Sequence, residues 1–204
     1  MPGPKEKKER SLGERLYLKG DRCQGPKCAL VRRPNRPGMH GQKRSRALSD
    51  FGRQLKEKQK FKLSYGLDER GLKRLFLVAS RSRGDTANKL LELLESRLDN
   101  IVFRLGFAVS RSAARQAVGQ GHIVVGGKRV RSPGYCVSVG ETIGIYSNSQ
   151  GQTNFRNLKE SLAQRELPAW LVLEREKLTG KLVAPPRDPM VPFEVNLLVE
   201  SFSK

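Results

Sequence analysis

The 204-residue chain has no apolar run approaching the ~18 residues that a membrane-spanning helix needs, so it offers no membrane span. Cysteine is scarce: three residues, an odd number, cannot close a disulfide framework and suit a reducing, cytoplasmic compartment. The first ten residues lack an apolar stretch behind their charges and include Glu6 and Glu9. That is unlike a targeting peptide, and the mature chain is expected to start near Met1. Histidine is scarcer still: His40 sits in a Pro/Gly loop, and His122 starts a strand-like stretch. Neither has the flanking Ser, Cys or acid that would suggest a catalytic triad. Acidic residues number 20 against 40 Lys and Arg, which leaves a net charge of +20. Such an excess implies a partner with regular negative charge. Phosphate backbones fit, because each neutralised phosphate releases a condensed counterion. No helix combines a basic face with a bulky apolar one, as binding to a membrane surface would require. Leu, Ile, Val and Phe make up about a quarter of the chain, enough for a core.

The charge is unevenly placed. Residues 1–60 hold 18 basic and 6 acidic residues, 61–100 hold 8 and 6, 101–145 hold 6 and 1, and 146–204 hold 8 and 7. Two blocks therefore carry nearly all of the excess. An extended basic arm plus a compact basic module would give this pattern.

Residues 1–47 mix Gly, Pro, Lys and Arg without periodicity and read as an irregular arm whose folding depends on what it touches. Ser49-Asp50 opens a basic helix that runs to Tyr65-Gly66. Leu72, Leu75, Phe76 and Ala79 mark a second helix, stopped near Gly84. From Thr86, Leu90, Leu91, Leu94, Leu98, Ile101, Val102 and Leu105 keep one apolar stripe that predicts a single helix of about five turns. Ser110 caps a short helix with Arg111 and Arg115 on one face, ended by Gly121. Gly126-Gly127 between β-formers predicts a tight hairpin, and Thr142–Tyr146 a further strand. Beyond it, residues 155–167 read as helical and 191–199 as strand-like. The segment 168–204 is expected to return to the helices of 50–94.

Most candidate chemistry fails on inspection. A phosphate-binding loop ending at Gly127-Lys128 would need Gly where His122 stands and Ser or Thr where Arg129 stands. Gly119-Gln120-Gly121 cannot start a dinucleotide fingerprint, because Val124 occupies the third glycine position. Cys136 reads as a small apolar residue on a β-segment. Cys23 and Cys28 supply only half of a closed zinc site, with Glu6, Glu9 and His40 nearby in sequence. No bound metal or cofactor is expected.

The specific signal runs from Arg97 to Tyr146: Arg97-Leu98-Asp99-Asn100, Arg104-Leu105-Gly106-Phe107, Ser110-Arg111, Ala114-Arg115-Gln116, Gly121-His122 and Val125-Gly126-Gly127-Lys128-Arg129-Val130. It resembles the RNA-binding domain of the S-four family, with Gly-Gly where the family pattern has Asn-Gly. The arm extends the likeness. Gly13–Cys23, Pro26-Lys27-Cys28-Ala29, Arg32-Arg33-Pro34, Pro37–Gln42, Leu48–Gly52 and Leu55–Lys60 look like the N-terminal domain of the bacterial-type small-subunit ribosomal S-four family. Pro168-Ala169-Trp170-Leu171 looks like its tail. Zinc-binding relatives carry an earlier Cys pair where Glu6 and Glu9 stand, so Cys23 and Cys28 resemble the remnant of a lost site.

The expected fold is α+β: a mainly helical N-terminal domain with an extended basic arm, plus a small helix-turn-helix and β-hairpin RNA-binding module. The expected divisions are 1–47, 48–94, 95–157 and 158–204. The resemblance implies a non-enzymatic constituent of the 30S subunit that binds the 5′ domain of 16S rRNA first, nucleates assembly of the body and contributes to translational accuracy. It implies neighbours in ribosomal proteins five and twelve and in mRNA where it enters the ribosome. Candidate RNA contacts on the arm and basic helix are Lys19, Arg22, Lys27, Arg32, Arg33, Arg36, His40, Lys43, Arg44, Arg46, Lys56 and Lys60. Those on the module are Ser110, Arg111, Arg115, Gln116, His122, Lys128, Arg129 and Arg131. Together they would straddle RNA phosphates by shape, since A-form RNA hides its base edges in a deep groove. The alternatives are a non-ribosomal RNA chaperone and a pseudouridine synthase carrying the same module, in which Arg97-Leu98-Asp99 would echo a catalytic aspartate motif. The 58 residues after Tyr146 are too few for that enzyme's catalytic domain, so Asp99 reads instead as a helix-surface residue that pairs locally.

Overall fold

The computed structural model describes residues 4–43, 47–152, 155–156, 158, 162, 166–187 and 193–203. The chain forms two compact units, residues 1–90 with 191–204, and residues 91–190.

The first unit is helical. Its arm is more ordered than its composition suggests: α1 spans Lys5–Leu12, a 3-10 turn spans Gly20–Cys23, and α2 spans Ala29–Arg32. The expectation of a wholly irregular arm is corrected, and the cause is local. The buried Glu9 carboxylate accepts the N–H groups of Leu16 and Leu18 (both 3.1 Å), which folds the chain back over α1. The Arg10 guanidinium donates to the Asn35 carbonyl. Cys23 and Cys28 are buried, and burial pushes the Cys23 thiol up. Glu6 is committed to Lys19 (3.3 Å) and Arg22 (2.9 Å). The two glutamates are thus used as hydrogen-bond acceptors and ion-pair partners. Among the described residues no group of three or more His, Cys, Asp or Glu is arranged to hold a metal ion.

Helix α3 (Asp50–Tyr65) is capped by the Ser49 hydroxyl, which accepts from Gly52 N, and α4 (Glu69–Arg81) by Asp68, which accepts from Gly71 N. Helix α5 (Thr86–Glu95) follows. The chain end returns as α8 (Val195–Ser203), so the strand-like reading of 191–199 is corrected where it is described. In a helix, Leu198 and Phe202 share a face. Leu198 is fully buried, Phe202 stacks on Phe76 (5.0 Å), Lys58 lies over the Phe202 ring (4.2 Å), and Gln54 donates to Glu200 (3.0 Å). A strand would split the apolar set Val195, Leu198, Val199 and Phe202 between two faces, whereas a helix keeps it on one.

Three glutamates brace this unit: Glu6 with Lys19 and Arg22, Glu14 with Lys56 and Lys60, and Glu69 with Lys58 and Lys62. Burial alone would raise each carboxyl, but the paired cations outweigh it and hold all three below the ordinary value of 4.5. A carboxyl whose folded value is depressed contributes stability that is present above the unfolded value and is lost as pH falls through the folded one. Denaturant melts of the full chain are therefore expected to show constant stability from pH 7 to about 5 and a progressive loss below about 4.5. Glu14→Gln should flatten part of that loss, and an unchanged acid limb would remove this assignment.

The second unit packs helices on one face of a five-stranded antiparallel sheet. Its helices are the end of α5, α6 (Leu98–Arg104) and α7 (Arg111–Gly119). Its strands are β1 (Ile123–Val125), β2 (Lys128–Arg129), β3 (Thr142–Ile145), β4 (Leu171–Glu174) and β5 (Thr179–Leu182), in the order β2-β1-β3-β5-β4. Gly126 and Gly127 both have positive φ (54° and 79°), as a two-residue hairpin requires. The expected return of 168–204 to the N-terminal helices is corrected for its first part. Residues 171–182 form a hairpin whose β5 pairs with β3, Thr142 opposite Lys181 and Gly144 opposite Thr179. Left alone, β3 would present an open edge, and the hairpin covers it. The helix expected over 155–167 lies mostly outside the described residues, though Phe155, Leu158 and Leu162 are buried in this core.

The single helix expected from Thr86 to Leu105 is in fact two. Ser96 and Arg97 interrupt it, and Arg97 takes an extended conformation (φ −65°, ψ 138°) and bridges to Cys136. The apolar stripe survives the break, with Leu90, Leu94, Leu98, Ile101, Val102 and Leu105 all fully buried. Periodicity reports which face is apolar, and a two-residue kink that keeps the face is invisible to it.

Candidate nucleic-acid interface

The basic module is built at the end of α7. Ser110 caps that helix, its hydroxyl accepting from Ala113 N (3.3 Å). Because Ser110 is buried in that role, it serves the helix and is withdrawn from the exposed contact set. Arg115 and Gln116 stand exposed on α7, with Arg111 half-buried beside them. Gly121 ends the helix, and a Cβ there would come within 2.9 Å of the Arg129 guanidinium and 3.0 Å of Arg131 Nε. The hairpin cations thus lie directly against the end of the helix that carries Arg111 and Arg115. Arg129 Nε donates to the Gly121 carbonyl (2.9 Å), and its guanidinium lies 4.4 Å from the Tyr146 ring centre. Lys128, Arg129 and Arg131 are all exposed.

His122 is held on both sides, Nδ1 with the Ser149 hydroxyl (2.9 Å) and Nε2 with Gln120 Oε1 (3.2 Å), and its ring meets Phe155 edge-on. It is half-buried and pins the start of β1. Glu141, the one acid of residues 101–145, accepts from the Tyr135 hydroxyl and Ser138 N (both 2.8 Å). Its charge is tied into a turn.

In the first unit, Lys19, Arg22, Lys27, Arg32, Arg33, Arg36, His40 and Lys43 are exposed. Arg44 and Arg46 lie outside the described residues. Lys56 is half-buried on Glu14 (2.8 Å). Lys60 is buried, its ammonium between Glu14 (2.6 Å) and Glu57. The structure places Lys60 inside the unit and so withdraws it from the exposed set, because an ammonium between two carboxylates has no bare face left for a phosphate.

Sequence reasoning missed a second layer beneath the exposed cations. Asp99 is 4% exposed, and Arg97 clamps it with Nε (3.1 Å) and Nη2 (2.6 Å), so the helix-surface reading is corrected. Glu95 is fully buried, and Arg104 clamps it in the same way, both bonds 2.9 Å. Arg111 and Arg115 each reach one of these carboxylates at 3.8 Å. The only sequence signal was a Glu and an Asp four residues apart on a stripe otherwise rich in leucine.

Residues 1–95 match the family described as the Ribosomal protein S4/S9 N-terminal domain, and residues 96–143 match the S4 domain. The chain is 47% identical to small ribosomal subunit protein uS4 of Acetivibrio thermocellus over 96% of this chain and 94% of the relative. It is 46% identical to the uS4 of Thermus thermophilus over the same shares, and 45% identical to that of Caldicellulosiruptor bescii over 99% and 98%.

Proposed function

Because the chain belongs to the family of small ribosomal subunit protein uS4, we propose that its two basic surfaces are the rRNA contacts of a primary assembly protein of the 30S subunit. At the coarser level it is a structural, non-enzymatic constituent of the small ribosomal subunit, an RNA-binding ribonucleoprotein component that works in translation in the cytoplasm. The finer reading is binding to the 5′ domain of 16S rRNA, nucleation of the body, and a contribution to decoding accuracy. Proteins five and twelve and the incoming mRNA would be neighbours.

One observation carries this reading. Arg129 and Arg131 are brought against the end of α7, which displays Arg115 and Gln116, on a stretch whose single acid is tied into a turn. A fixed array of guanidiniums on a helix end and a hairpin is suited to phosphates and 2′-hydroxyls across a shallow RNA minor groove. The synthase alternative is not favoured, since the uS4 likeness spans nearly the whole chain and Asp99 is clamped and buried.

The tagged protein is expected to co-sediment with 30S subunits through a high-salt wash and to protect a 5′-domain fragment of 16S rRNA from nucleases. Release in the wash together with no protection would overturn the reading. Modified uridine appearing in the fragment would restore the enzyme.

A further inference from the structure

Glu95 looks out of place in a surface meant for a polyanion. Its carboxylate is fully buried where α5 gives way to α6, and donors converge on both oxygens. Oε2 accepts from Asn100 Nδ2 (2.7 Å) and Arg104 Nε (2.9 Å), and Oε1 accepts from Arg104 Nη2 (2.9 Å). Arg104 already supplies a bidentate partner for this carboxylate. Yet a second arginine is drawn in. Arg111 Nη2 lies 3.8 Å from Oε1, while Arg111 Nε donates to Asn100 Oδ1 (2.7 Å). The Arg111 guanidinium is also laid over the Phe103 ring, 4.8 Å from its centre. Asn100 is therefore a relay, its amide giving to Glu95 and its carbonyl oxygen taking from Arg111.

Asp99 repeats the arrangement. Arg97 clamps it, and Arg115 of α7 reaches it at 3.8 Å. Two buried carboxylates thus face four guanidiniums, and the excess positive charge falls on α7. An arginine side chain that is free to rotate loses rotamer entropy when it binds a phosphate, and one already fixed by a carboxylate loses less.

We infer that Glu95, acting through Asn100, is a positioning residue for RNA: the acid fixes the Arg111 guanidinium on the face of α7 that meets phosphate. The inference rests on the proposed rRNA contact of this module. It separates positioning from bulk charge, because the two predict opposite signs. Glu95→Gln raises the net charge by one, so bulk electrostatics predicts tighter binding to any polyanion. The amide would also turn an N–H toward the Arg104 or Asn100 donors and release the cluster.

The test is filter binding by the full chain to a 5′-domain fragment of 16S rRNA and, in parallel, to heparin, with circular dichroism as the check on folding. Glu95→Gln is expected to lose about tenfold or more on the rRNA fragment while holding or gaining affinity for heparin. Should that variant fail to fold, Asn100→Ala takes its place: it removes the relay and the Asn100 bond to the Glu95 carbonyl but leaves the net charge and the Glu95–Arg104 clamp unchanged, so bulk electrostatics predicts no change where positioning predicts a loss on the rRNA fragment. A folded variant that binds the fragment as well as the wild type, or better, overturns the inference. A wild-type chain that binds the fragment no more tightly than heparin overturns the rRNA reading itself.

Discussion

Between about 50 and about 200 mM salt, affinity of the full chain for a 5′-domain fragment of 16S rRNA is expected to fall by roughly 10³–10⁵-fold. The size follows from which cations the fold leaves available. Lys27, Arg32, Arg33, Arg36 and Lys43 are exposed in the first unit, and Lys19 and Arg22 share the single charge of Glu6 between them. Arg115, Lys128, Arg129 and Arg131 are exposed in the second, and the half-buried Arg111 joins them on α7. Lys56 and Lys60 drop out, since Glu14 and Glu57 already neutralise them. About ten phosphates can then be met, which gives a slope of roughly −9 in log affinity against log salt on the duplex estimate. Replacing Arg111 and Arg115 together should weaken binding on every RNA tested, without changing which is preferred, and reduce the slope by about 2. A slope near −2 for the wild type, measured by filter binding across a salt series, would mean that the exposed cations are ordinary solvated charges.

The second large effect concerns the core that holds the module rigid. Leu105, at the end of α6, is fully buried, and its methyl groups fill the space above Gly180 of β5. Leu105→Ala is expected to cost about 2–5 kcal/mol in a urea melt, from lost burial plus the cavity left behind. For a unit of this size that corresponds to a fall in melting temperature of about 10 °C or more. Gly180→Ala approaches the same contact from the other side. Its new Cβ would sit within 2.6 Å of a Leu105 methyl, and the overpacking should cost about 1–3 kcal/mol. In the double variant the two changes should compensate, because the cavity receives the added methyl, so the costs will fall short of additive. Additive costs would show that β5 is not seated on α6.

Both experiments probe features that were unequally legible beforehand. The arginines of α7 and the hairpin could be placed from neighbouring residues alone: Ser110 as a cap, Gly121 as a stop, and a glycine pair at the turn. Their roles were less legible. Ser110 and Lys60 carry the right chemistry for phosphate, yet the fold uses one as a helix cap and the other as an internal counterion. The Glu95–Arg104 clamp spans nine positions across a helix break, and no helical spacing brings such residues together.

The sequence by itself determined the partner class, through a +20 charge gathered into two blocks, and it determined the helices whose starts are written as Ser49 and Ser110 and the turn at Gly126-Gly127. Each of these depends on residues within one or two turns of chain, where caps and steric limits act directly. Only the tertiary structure decided that residues 171–182 complete the sheet, that 195–203 form a helix, and that Glu95 and Asp99 lie beneath the basic surface. The reason is range. An open strand edge accepts any compatible strand, an apolar segment takes the conformation that its docking face rewards, and a buried carboxylate is stable only once the fold has brought its arginines to it.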